Sequence, residues 1–151
     1  MMDITDIKNH INNKSRLIGV DMGTKRVGLS ISDENRKIAT PLKTINYENI
    51  QILTDELKKI TDENNVHAII FGNPINMDGT EGSSSQSVKD KVKLISEKIQ
   101  IPIFLWDERL STVGAFNLSS ELDINVSKRV KNIDKNAATF ILQGVLDFFN
   151  Y

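Results

Sequence analysis

The chain has 151 residues and a net charge of −1, no cysteine, and Lys plus Arg (19) almost balanced by Asp plus Glu (20). That length suits one domain with a sizeable core, and the missing cysteines exclude disulfides, thiolate metal centres and cysteine nucleophiles. The near-zero charge argues against a general polyanion-coating protein and leaves only local basic patches for nucleic acid; with no apolar run of membrane-spanning length and no signal-peptide core, a soluble, cytoplasmic protein is expected.

Residues 1–14 are polar, and Ile4, Ile7 and Ile11 carry the spacing of a short amphipathic helix that frays. Leu17, Ile18 and Val20 make the apolar run of a buried central strand, which ends on Asp21. Gly23 permits a turn, by positive φ or by close approach. Val27, Leu29 and Ile31 then alternate with Gly28, Ser30 and Ser32 as a second, half-buried strand. Thr24, Lys25 and Arg26 set a hydroxyl and two cations beside the carboxylate. A third strand over 38–45 contains Pro41, which places it at a sheet edge or a bulge. Ile50, Leu53, Leu57 and Ile60 recur at helical spacing, predicting a helix over 50–63 that Asn64-Asn65 ends. Residues 68–72 read as a buried parallel strand opening into a loop over 73–82. Ser83 to Ser87 begins a helix carrying Val88, Val92, Leu94, Ile95 and Ile99, with Lys89, Lys91 and Lys93 toward solvent. Residues 101–106 form the fifth strand, running into Asp107-Glu108-Arg109. A helix over 110–118, a polar, basic loop over 121–133 and a final helix over 134–149 complete the chain.

Three antiparallel strands followed by α-β-α-β-α predict an α/β fold. Its five-stranded mixed sheet, in the order 3-2-1-4-5 with helices on both faces, satisfies the short-connection and right-handed-crossover rules. Residues 1–151 are expected to form one domain.

Acids stand at the ends of three elements. Asp21 closes the first strand, Asp107 and Glu108 close the fifth, and Asp134 opens the last helix. The carboxyl ends of parallel strands gather along one sheet edge, so Asp21 and Asp107 should share it. Alternation places Asp107 with Ile103 and Leu105, and Glu108 with Phe104 and Trp106. It leaves open which acid is the inner one. Asp107 is favoured, with Glu108 as an outer ligand or a partner of Arg109. One strand separates Asp107 from Asp21, two spacings of about 4.8 Å. Asp134 lies on a stripe with Ala138, Ile141 and Val145, and Ala137-Ala138 lets that helix approach the sheet closely. Aspartate is also a common N-cap, which is the bland account of Asp134. Converging carboxylates raise one another's pKa unless a hard divalent cation such as Mg²⁺, or Mn²⁺ in its place, takes them as ligands. A metal set of Asp21, Asp107 and Asp134 could hold a pair of ions for phosphodiester hydrolysis.

Four motifs in order resemble those of the YqgF/RuvX family. They are Val20-Asp-Met-Gly-Thr-Lys-Arg-Val-Gly28, Phe71-Gly-Asn-Pro74 with Met77-Asp-Gly79, Asp107-Glu-Arg-Leu-Ser-Thr112 and Ile133-Asp-Lys-Asn-Ala-Ala138. The resemblance runs from about Arg16 to Phe149 and is specific as a set. It implies an RNase H-like fold and a cytoplasmic nuclease that matures the 5′ end of precursor 16S rRNA. An older family assignment is Holliday-junction resolvase. The family's acidic positions carry onto Asp21, Asp107 and Asp134, with Glu108 as a further candidate. Gly72-Asn73-Pro74 departs from the family's Gly-Leu-Pro or Gly-Met-Pro, and Gly114 replaces a larger residue. These departures touch substrate contacts more than the acids.

The resulting expectation is a two-metal nuclease acting on structured precursor rRNA, with branched DNA as the alternative substrate. Thr24, Lys25, Arg26 and Arg109 are the candidate substrate-binding residues, since Lys and Arg meet phosphates without reading sequence. A sugar-kinase or actin-like ATPase would need a second such domain, for which the chain lacks room. A non-catalytic nucleic-acid module is the remaining alternative, against which the three acids argue.

Overall fold

In the computed structural model the described residues are 15–76, 78–108 and 137–149. The expected segments over 1–14, 110–118 and 121–133 lie outside them, as do Arg109 and Asp134. Strands β1 (Arg16–Met22), β2 (Arg26–Ser32) and β3 (Ala39–Asn46) are followed by helix α1 (Ile50–Glu63). Then come β4 (Val66–Asn73), α2 (Ser83–Ser96), β5 (Ile103–Asp107) and α3 (Ala137–Phe149). The five strands form one sheet in the order β3-β2-β1-β4-β5, as the element pattern predicted. β1 pairs antiparallel with β2 and parallel with β4, and β5 runs parallel to β4. The carboxyl ends of β1, β4 and β5 therefore meet on one edge.

Each central strand buries both faces, and its alternate residues feed two cores. Ile18, Val20, Ile69, Phe71 and Ile103 point to the side that α1 and α2 cover with Leu53, Leu57, Val88, Val92 and Ile95. Leu17, Ala68, Ile70, Phe104 and Trp106 point to the other, where α3 supplies Ile141, Leu142, Val145 and Leu146. Full burial of each such aliphatic side chain stabilises by about 1.5–3 kcal/mol, so α3 is held by its apolar stripe rather than by helix propensity.

Both readings of Pro41 hold. β3 is a sheet edge, and its pairing with β2 slips by one residue where Leu29 faces Lys43 and Ser30 faces Pro41. Leu42 is the extra residue of this bulge, and an edge bulge also discourages pairing with another chain. The serine run does open α2, which starts after Gly82. Two of the lysines expected in solvent have partners instead: Lys89 pairs with Glu81, and Lys91 donates to the Tyr47 hydroxyl. Ile99 packs in the core but lies beyond the end of α2.

The docking of α3 depends on small residues. A Cβ on Gly19 would stand 2.5 Å from Ser30 Oγ, 2.8 Å from Leu142 Cβ and 2.9 Å from the Ala138 carbonyl oxygen. Ser30, fully buried, donates its hydroxyl to that same carbonyl at 2.6 Å. Ser30→Ala is expected to lower stability by about 1 kcal/mol, one net hydrogen bond, in urea denaturation. An unchanged urea midpoint would show that packing alone seats the helix.

Candidate active site

Strand register decides which acids can meet. Val20 is level with Phe71, and Phe71 with Leu105. One residue further on, Asp21, Gly72 and Trp106 form a row on the α3 face, while Met22, Asn73 and Asp107 form the next row on the α1/α2 face. Two side chains mark the faces independently. Trp106 stacks edge-on against Phe148 of α3, at 5.6 Å between ring centroids. Asn73 instead accepts a hydrogen bond from Ser85 of α2 at 2.6 Å.

Glu108, the residue after β5, belongs to the α3 face. Its carboxylate lies over Gly72, where an added Cβ would collide with Glu108 Oε1 and come within 2.6 Å of Ile141 Cδ1. In this geometry Glu108, rather than the favoured Asp107, shares the α3 face with Asp21. Alternation turns Asp107 to the opposite face, and the longer Glu108 reaches across β4 through the gap that a side chain at 72 would fill. This gap also removes the difficulty of two strand spacings. The signal was present in the sequence as Gly72, whose role is to leave that space empty.

The electrostatics agree with this pairing. Burial pushes the Asp21 carboxyl above the usual range. Burial pushes Glu108 up to about 7, and the charges of Asp21 and Asp107 add to the effect. Among the described residues neither carboxylate makes a hydrogen bond or an ion pair. Two half-buried acids that repel each other, with no donor among the described residues, fit a divalent cation, which takes carboxylate oxygens as ligands. Among the described residues no third His, Cys, Asp or Glu converges with them.

The sign of the pH effect follows. A carboxyl whose folded pKa is raised destabilises the fold when ionised, and that cost is relieved as pH falls toward its unfolded value. For Glu108 the window runs from about 7 down to 4.5. Without divalent ions, the melting temperature is expected to rise as pH falls through this window, and Glu108→Gln should flatten the rise. Parallel melting curves for parent and variant would contradict the burial of the Glu108 carboxyl.

Beside Asp21, the β1–β2 turn is closed by a hydrogen bond from Gly23 N to the Arg26 carbonyl at 2.9 Å. Gly23 is required by close approach, since a Cβ there would sit 2.5 Å from that carbonyl oxygen. Thr24, Lys25 and Arg26 are exposed on this turn. They line a cleft of about 790 Å³ that also includes Asp21, Gly28, Pro41, Thr44 and Ala138. Ala138 lies 3.7 Å from the position of a Cβ on Gly28, so the start of α3 closes over the hairpin next to Asp21. That approach was legible in Ala137-Ala138. Arg109 and Asp134 lie outside the described residues; α3 as described begins three residues after Asp134.

Residues 15–148 match the family described as "RuvX: Holliday junction resolvase". The chain belongs to this family. It is accordingly a nuclease, an enzyme that hydrolyses phosphodiester bonds, on an RNase H-like fold. A Pelagibacter ubique relative named "Putative pre-16S rRNA nuclease" is 61% identical over 150 residues, covering 99% of each chain. A Clostridium botulinum relative of the same name is 43% identical over 132 residues, covering 87% of this chain and 96% of its own. Among solved structures, Thermus thermophilus RuvC in complex with a Holliday junction substrate superposes with a TM-score of 0.55. It is 9% identical, covering 89% of this chain and 96% of RuvC, and so bears on fold alone. RuvX membership, rather than fold, sets aside the ATPase alternative. No described helix is long and apolar enough to cross a membrane.

Proposed function

We propose that this nuclease matures the 5′ end of precursor 16S rRNA in the cytoplasm, using Mg²⁺, with Mn²⁺ able to substitute. The single observation that carries the chemistry is the approach of Glu108 to Asp21 over Gly72. Asp21 and Glu108 are the proposed inner ligands. Asp134 is the proposed third ligand, and Asp107 supports the site through its charge on Glu108. A divalent ion held by these residues would supply an activated water and offset charge on the phosphodiester, and a second ion would make the site a two-metal one. Lys25 and Arg26, with Thr24 and Arg109, hold the substrate backbone beside the acids. The rRNA assignment rests on the names of relatives as similar as 61% over 99% of the chain.

The test offers purified protein with Mg²⁺ or Mn²⁺ two substrates side by side: RNA spanning the 5′ end of precursor 16S rRNA, and four-way DNA. Metal-dependent cleavage of the RNA and not the junction is the expected result. Preference for the junction would replace this substrate with the one in the family's description. Changing Lys25 and Arg26 to Ala together should weaken RNA binding and make the log–log salt slope shallower by about 0.7 for each phosphate no longer neutralised. An unchanged slope would mean that the RNA lies elsewhere.

A further inference from the structure

The cation-bearing turn is braced from the face opposite Asp21. Tyr47, just after β3, is half-buried against the core beneath α1 and α2. Its backbone N–H donates to the Lys25 carbonyl at 3.1 Å. Its hydroxyl donates to the Gly23 carbonyl at 2.9 Å. Lys91 of α2 donates in turn to the Tyr47 hydroxyl oxygen at 3.3 Å, with its ammonium 5.9 Å from the ring centroid. A charged donor on a hydroxyl polarises it and strengthens the bond that the hydroxyl itself donates. With Gly23 N bonded to Arg26, the carbonyls of Gly23, Lys25 and Arg26 are all engaged.

One group of the turn is left over. The Gly23–Thr24 peptide is planar and trans, so fixing its C=O toward Tyr47 turns the Thr24 N–H the opposite way. That N–H makes no hydrogen bond within the described residues. A backbone N–H fixed in this way, next to Lys25 and Arg26, is a ready phosphate donor.

We propose that Tyr47 is a positioning residue. It pins the Gly23–Thr24 peptide so that the Thr24 N–H and the Lys25 and Arg26 side chains meet a backbone phosphate of the substrate, and Lys91 acts only through the Tyr47 hydroxyl. The inference rests on the placement of substrate at this turn proposed above. Tyr47 touches neither the substrate nor the acids, so its effect belongs in binding and KM.

Tyr47→Phe keeps the ring and removes the bond. Binding of a fluorescent RNA spanning the 5′ end of precursor 16S rRNA is expected to weaken about three- to tenfold. KM should rise accordingly, by more than kcat falls. Lys91→Met should weaken binding about twofold in the parent and not at all in the Tyr47→Phe background, because its path to the turn is then gone. A fold-wide loss of stability would instead give two additive effects and a fall in kcat equal to the rise in KM, and that result overturns the inference. So does Tyr47→Phe binding RNA as the parent does, or Lys91→Met keeping its full effect without the hydroxyl. The Lys25/Arg26 double variant separates the two levels: if it binds like the parent, the substrate placement itself is wrong. If it binds weakly while Tyr47→Phe is unaffected, only the brace is refuted.

Discussion

Asp21→Asn should reduce metal-dependent cleavage by at least about 10²-fold while the melting temperature at neutral pH holds or rises. The two effects have one origin. Asp21 is half-buried, its carboxyl is raised by burial, and no described donor compensates it, so the charge costs stability in the metal-free fold. Held against a divalent ion, the same charge supports chemistry worth several kcal/mol, at about 1.4 kcal/mol per tenfold in rate. Glu108→Gln should behave alike, because its carboxylate lies over Gly72 in the row beside Asp21 and feels the Asp21 charge. As the proposed ligands of one ion the two acids would act as a unit, so the double variant should lose little more than either single one. Cleavage rates and thermal melting of both singles and the double decide the matter. Rates that multiply would mean that the two acids serve separate purposes.

The second large effect is structural. Gly19→Ala should destabilise the fold by about 1–3 kcal/mol or more, the range for forcing an atom into a packed interior. The added methyl meets Ser30 Oγ, Leu142 Cβ and the Ala138 carbonyl at 2.5, 2.8 and 2.9 Å, and the carbonyl is rigid helix backbone. Lifting the start of α3 away from the hairpin relieves the contacts with Leu142 and Ala138 and also opens the cleft beside Asp21. Urea denaturation should show the lowered midpoint, and cleavage should fall even where the variant is fully folded. A variant with the parent's midpoint would show that α3 can shift without loss.

The sheet was legible because its signals are local and redundant. Apolar runs mark β1, β4 and β5, Pro41 marks the bulged edge, and a helical period marks α1 and α2. Topology rules then leave few orders to choose from. The site was legible only in outline. Asp21 and the cations of the β1–β2 turn sit where a strand end and a tight turn put them. The choice between Asp107 and Glu108 depends on which face of β5 continues the row through Asp21, and single-strand alternation cannot give a cross-strand register. The same limit hid Gly72, whose importance lies in what it lacks. Tyr47 and Lys91 carried no motif at all: 44 residues separate them, and only the fold brings both to the turn. The placement of Asp134 and Arg109 falls outside the described residues.

Cation binding measured by calorimetry distinguishes the two faces of β5 most directly. Mg²⁺ or Mn²⁺ is titrated into the parent, Asp21→Asn, Glu108→Gln and Asp107→Asn proteins without substrate. The account predicts binding to the parent, severe weakening in Asp21→Asn and Glu108→Gln, and a smaller loss in Asp107→Asn, which removes only a neighbouring charge. Full binding by Glu108→Gln, together with its loss in Asp107→Asn, would put the metal on the α1/α2 face and contradict the account.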